Sequence, residues 1–76
     1  MREMDFKVEQ MGVVEVGQTI KVSEGTLPGS YYYILEHSYG MSANYVTRDR
    51  LKSTEGKIIK LETTSRGQYA TVVFDE

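Results

Sequence analysis

Proton transfer near neutral pH most often uses histidine, and this 76-residue chain has one, His37. Glu36 and Ser38 flank it, but neighbouring side chains on extended backbone point to opposite faces, so neither is aimed at the imidazole. No Ser-His-Asp or Glu-x-x-His constellation can be assembled from the remaining residues. There is no cysteine, which excludes disulfides and thiolate zinc sites, and scattered carboxylates with a single histidine have no metal-ligand spacing. The glycines open no helix as a phosphate cradle would. These residues lead to the expectation of a non-enzymatic protein with no catalytic residues, no metal and no cofactor. An enzyme or small-molecule site near His37 ranks last.

The tyrosines offer different chemistry. Five of the six lie between Tyr31 and Tyr45. A tyrosine presents a flat apolar ring with a polar tip, which suits recognition surfaces. A chain without tryptophan also needs large rings in its core, so about half of the set is expected inside; Tyr32, Tyr39 and Tyr45 are the members expected outside. Tyr39, Asn44, Tyr45, Arg48, Arg50 and Lys52 also set rings and cations close together in sequence. That pairing binds single-stranded nucleic acid, with rings stacked on bases and cations on phosphates. The competing reading is a salt-bridged loop with Asp49 between two arginines. The candidate partner-binding residues are therefore Tyr32, Tyr39, Tyr45, Arg48, Arg50 and Lys52. The expected partner is another protein or a second copy of the chain; the alternative is RNA or single-stranded DNA.

Charge bears on that choice. The net charge is −2, which opposes broad attraction to nucleic acid or acidic lipid. From Asn44 to Lys60, five cations face two carboxylates, a local +3 that leaves −5 on the rest of the chain. The amino-terminal residues MREMDFKVEQ lack a secretory apolar run, and no stretch reaches bilayer-spanning length. Small secreted domains usually carry disulfide staples, so their absence here favours a reducing compartment. A cytoplasmic protein without a membrane partner is expected. The length suits a single domain over residues 1–76, and the apolar share of 39% is ordinary for a compact one.

Period-two patterning supplies the elements that must position these groups. Met4, Phe6 and Val8 alternate with polar residues and read as a strand, although Met4, Val8 and Met11 also fit one helix face. Val16 to Ser23 reads as a second strand with Ile20 and Val22 on one face, ended by Glu24 to Gly29, where Pro28-Gly29 is a turn dipeptide. Ser30 to Glu36 is a third strand, with Tyr31, Tyr33 and Leu35 on one face and Tyr32, Ile34 and Glu36 on the other. His37 to Ser53 is irregular. Ser42 could cap a helical turn through Ala43 to Val46, and Asp49 another through Arg50 to Lys52. Thr54-Glu55-Gly56 reads as a turn.

The last third, GKIIKLETTSRGQYATVVFDE, reads as one hairpin. A four-residue loop, Thr64 to Gly67, sets Leu61 opposite Ala70, Ile59 opposite Val72 and Ile58 opposite Val73. Glu62, Lys60, Tyr69 and Thr71 then share the outer face. A two-residue loop at Arg66-Gly67 keeps the same faces, whereas a three-residue loop mixes them. Strands this short cannot form two large sheets, but a curled sheet buries one face of each. The stretch VEVGQTIKV, with its Val-Gly-polar start, and the glycine-started hairpin ending in Val-Phe-Asp together resemble SH3-like barrels over about 30 residues. Patterning and capping together give a mainly β, five-stranded, partly open barrel with one or two short helical turns between Ser42 and Lys52, and the resemblance makes that barrel SH3-like. The resemblance implies a fold and no particular function.

Overall fold

The computed structural model describes residues 1–9, 11–36 and 39–76. The readings made of His37 and Ser38 lie outside the described residues. Six strands run in the order β1 (Arg2–Val8), β2 (Thr19–Leu27), β3 (Ser30–Leu35), β4 (Gly40–Met41), β5 (Glu55–Thr64) and β6 (Gly67–Phe74). Among the described residues, the 3-10 turns η1 (Met11–Val13) and η2 (Thr47–Asp49) accompany them. The strands form a closed antiparallel barrel in the spatial order β1-β4-β3-β2-β5-β6, with β6 returning to β1.

The fold is thus a small mainly β barrel, as the patterning predicts, but closed rather than partly open and with six strands rather than five. The added strand is β4. Its two residues pair on both sides, Met41 with Lys7 and Ile34, Gly40 with Val8 and Leu35, and so join β1 to β3. The helical alternative for Met4 to Met11 fails because all of β1 pairs with β6 in one register, Arg2 with Phe74 through Val8 with Gln68.

Alternation places Met4, Phe6 and Val8 of β1, Tyr33 and Leu35 of β3, and Ala70, Val72 and Phe74 of β6 inside the barrel. Val14, Ile20, Leu51 and Ile58 complete the core, with the rings of Phe6 and Phe74 tilted against each other at 6.4 Å. Each large aliphatic or aromatic side chain so enclosed contributes about 1.5–3 kcal/mol.

Several boundaries differ from the sequence expectation. The second strand starts at Thr19 and continues to Leu27 instead of ending at Ser23. The two-residue turn Pro28-Gly29 pairs Leu27 with Ser30 and carries Glu24 to Leu27 along β3; Gly29 has φ of 78°, which a residue with a Cβ adopts only under strain. Glu55 and Gly56 are not in a turn, since they begin β5 opposite Lys21 and Ile20. The last hairpin turns on two residues, Ser65 and Arg66, because Thr64 pairs with Gly67. Leu61 does face Ala70. A register shift between Ile58 and Lys60 then makes Ile59 the extra residue of a bulge, so Ile58 rather than Ile59 faces Val72 in the core. Ile59 is left 41% exposed.

One helical turn does form between Ser42 and Lys52, at Thr47–Asp49, but neither the stretch from Ala43 to Val46 nor that from Arg50 to Lys52 coils. Tyr45 pairs in extended conformation with Tyr31 through both backbone hydrogen bonds, 2.7 and 2.8 Å, which keeps the chain from coiling after Ser42. The Ser42 hydroxyl instead accepts from the Tyr33 N–H and donates to the Ala43 carbonyl. Asp49 ends η2 rather than capping a turn after it, and Arg50 is already extended.

Candidate functional site

Residues 42–54 connect β4 to β5 without regular strand and cover one end of the barrel. Sequence gives this connection few apolar residues, so polar contacts hold it. Leu51 alone enters the core. Around it, the Glu76 carboxylate accepts from the backbone N–H of Lys52 at 3.1 Å and of Ser53 at 3.3 Å. The Arg2 guanidinium donates to the Asp49 carbonyl. The Thr54 carbonyl accepts from the Val22 N–H at 2.9 Å.

The densest group is built on Tyr33. Its ring lies in the core, and its hydroxyl accepts from the Leu51 N–H at 2.7 Å and donates to Glu24 Oε2 at 2.9 Å. Arg50 grips the same carboxylate with both arms, Nε to Oε2 at 2.9 Å and Nη2 to Oε1 at 2.6 Å. Its guanidinium also lies over the Tyr31 ring, 4.4 Å from the centroid. The Arg50 hydrogen bonds hold the Glu24 carboxyl below its ordinary range, with Tyr33 acting in the same direction against a smaller effect of burial. Burial pushes the Tyr33 hydroxyl up, and its bond to Glu24 adds to that; the Leu51 N–H opposes it. Arg50 is raised, first by its bond to Glu24.

Four of the six candidate residues, Tyr45, Arg48, Arg50 and Lys52, are thereby brought to one end of the barrel. They are not equivalent. Arg50 is engaged by Glu24, 26 residues away, and not by Asp49 as the competing reading of a salt-bridged loop has it. Tyr45 is half-buried, its ring 6.1 Å from that of Tyr33, with the Arg2 guanidinium 5.4 Å from its centroid. Arg48 and Lys52 are exposed and line an open groove of about 620 Å³ together with Val22, Glu24, Arg50 and Leu51.

Tyr32 and Tyr39 lie elsewhere. Tyr39 is half-buried against the core, and its carbonyl accepts from the Glu9 N–H at 2.8 Å, at the far end of β1. Both Tyr39 and Tyr45 are therefore less exposed than the sequence suggests, because a barrel this small has each end sealed by side chains from its loops. Tyr32 is half-buried on the outer wall of β3, with its ring over Gly25, in the space a Cβ there would fill. Beside it on the same face are Ile34 and its cross-strand partner Met41, 52% exposed. A shallow depression of about 310 Å³ runs between Ile34, Met41, Lys7 and Glu9.

Glu24, Glu76 and Arg2 organise the barrel end and were not singled out in sequence. Only for Glu24 was there a usable signal: continuing β2 past Ser23 sets it opposite Tyr33. Among the described residues no cluster of three His, Cys, Asp or Glu side chains could hold a metal ion, and no helix is long and apolar enough to cross a membrane. No protein-family model, curated protein or solved structure matches the chain.

Proposed function

We propose that the chain is a non-enzymatic interaction module that binds another protein through the outer wall formed by Tyr32, Ile34 and Met41. The observation that carries this reading is the continuity of these three side chains on one outward face, with Met41 more than half exposed. Tyrosine and methionine are enriched in the buried centres of protein interfaces, and Lys7 and Glu9 supply a polar rim. The resemblance to SH3-like barrels, whose peptide-binding members use exposed tyrosines, supports it through composition. The nucleic-acid alternative keeps Arg48 and Lys52 but loses Arg50 to Glu24, which leaves few cations for phosphates on an acidic chain.

Affinity capture from native extract, with and without nuclease, tests this reading when wild type is compared with Tyr32→Ala/Met41→Ser. The expected result is a partner retained after nuclease and lost with the double variant. Retention of the same partner by a folded double variant overturns it. Capture that disappears with nuclease or rising salt favours the nucleic-acid reading. Sedimentation of the chain alone reveals whether the partner is a second copy.

A further inference from the structure

We infer that the free edge of β2 is a docking site for an extended acidic peptide, which adds there as a strand with its carboxylates beside Arg48 and Lys52. This edge is apart from the Ile34–Met41 part of the outer wall, although the Tyr32 ring reaches over Gly25. β2 pairs with β5 only from Thr19 to Lys21, and the Val22 N–H reaches Thr54. Beyond Val22, among the described residues, β2 has a strand on the β3 side alone. In an antiparallel ladder, successive residues turn their N–H and C=O alternately toward and away from the partner strand. The two-residue turn makes Leu27 and Ser30 an exchanging pair, so Gly25 and Ser23 also face β3. Glu24 and Thr26 then point their backbone groups outward, and the Val22 N–H, which points away from β3, agrees with that phase.

Strand addition uses such a row of unpaired groups for affinity and adjacent pockets for selectivity. The groove that meets β2 at Val22 and Glu24 supplies the pocket. Its charge determines the occupant. Glu24 is the one carboxylate lining the groove, and Arg50 neutralises it. Arg48 and Lys52 are exposed and have no side-chain ion pair among the described residues. A ligand therefore meets two cations that no side-chain ion pair engages among the described residues, beside open backbone donors and acceptors, which suits an acidic peptide in extended conformation. The open edge of β5 after Ile59 lacks these features. It carries a bulge and the Lys60–Glu62 ion pair, both of which discourage strand addition.

The test uses the full chain and a fluorescein-labelled peptide of alternating valine and glutamate. Controls are the glutamine version, a version interrupted by prolines, and a labelled oligothymidylate. Anisotropy is expected to show binding of the glutamate peptide, with amide shifts in the NMR spectrum centred on Glu24 and Thr26. Arg48→Glu/Lys52→Glu should weaken it by about tenfold or more, since two attractive pairs become repulsive. Met41→Ser, on β4 and not paired with β2, should leave it unchanged, so this inference and the proposed function stand or fall separately. Equal binding by the charge-reversed protein or by the proline-interrupted peptide overturns the inference. So do preference for oligothymidylate, shifts confined to the Tyr32–Met41 wall, and absence of binding by the glutamate peptide.

Discussion

Tyr33 joins the core to the covering segment through a single oxygen. The hydroxyl satisfies the Leu51 N–H, which is buried beside it, and in turn uses Glu24 as its acceptor. Tyr33→Phe keeps the ring and removes the oxygen, leaving that N–H without a partner. A loss of about 1–3 kcal/mol is expected, measured by urea unfolding. A variant as stable as wild type would mean that water replaces the hydroxyl freely and that the end of the barrel is looser than described. Gly25 poses the opposite case. A methyl group there meets the far end of the Tyr32 ring, a part that can swing away. Gly25→Ala should therefore change stability little while displacing Tyr32 from the outer wall, visible as altered ring resonances. If the proposed function is right, partner binding falls with it.

Among the elements, the bulge in β5 separates two adjacent isoleucines. Ile58 is fully buried opposite Val72, whereas Ile59 is the extra residue and faces out. Ile58→Ala is expected to destabilise by about 2–5 kcal/mol, and Ile59→Ala by no more than about 0.5 kcal/mol. Reversed magnitudes would restore the unbulged register. This pair also marks how far sequence reading reaches. Met4-Phe6-Val8, Tyr31-Tyr33-Leu35 and Ala70-Val72-Phe74 were legible because a half-buried strand writes its burial into every second residue. Ile58-Ile59 was not, since two neighbouring apolar residues satisfy either register. β4 was invisible because Gly-Met has no pattern; its neighbours on both sides make it a strand. In the candidate site, the clustering of Tyr45, Arg48, Arg50 and Lys52 followed from closeness in the chain. The engagement of Arg50 did not, because Glu24 lies 26 residues away and a charged residue after Ser23 reads as the end of a strand.

At the scale of the whole molecule, the barrel is closed sideways by strand pairing and at one end by ionisable groups, so its stability should depend on pH in a defined way. Glu24 is held below its ordinary 4.5 by Arg50 first and then by Tyr33. Burial tends to raise Glu76, but the N–H groups of Lys52 and Ser53 outweigh it and hold it low as well. Folded protein therefore binds these protons more weakly than unfolded chain. Their stabilisation is present above 4.5 and is lost as pH falls through the depressed values. Tyr33 is raised above 10.0 by burial and by Glu24, and Lys60 above 10.5 by its bond to Glu62. Their stabilisation is complete below those ordinary values and is lost as pH rises through the raised ones. Melting temperature should thus fall as pH drops below about 4.5 and as it rises above about 10. Glu24→Gln should shallow the acid limb and leave the part due to Glu76, while Tyr33→Phe should shallow the alkaline limb and leave the part due to Lys60. An acid limb unaltered by Glu24→Gln would show that the Arg50–Glu24–Tyr33 group does not couple the covering segment to the barrel. Residues 42–54 would then be held by Leu51, the Tyr31–Tyr45 pair and the contacts of Glu76, Arg2, Val22 and Ser42.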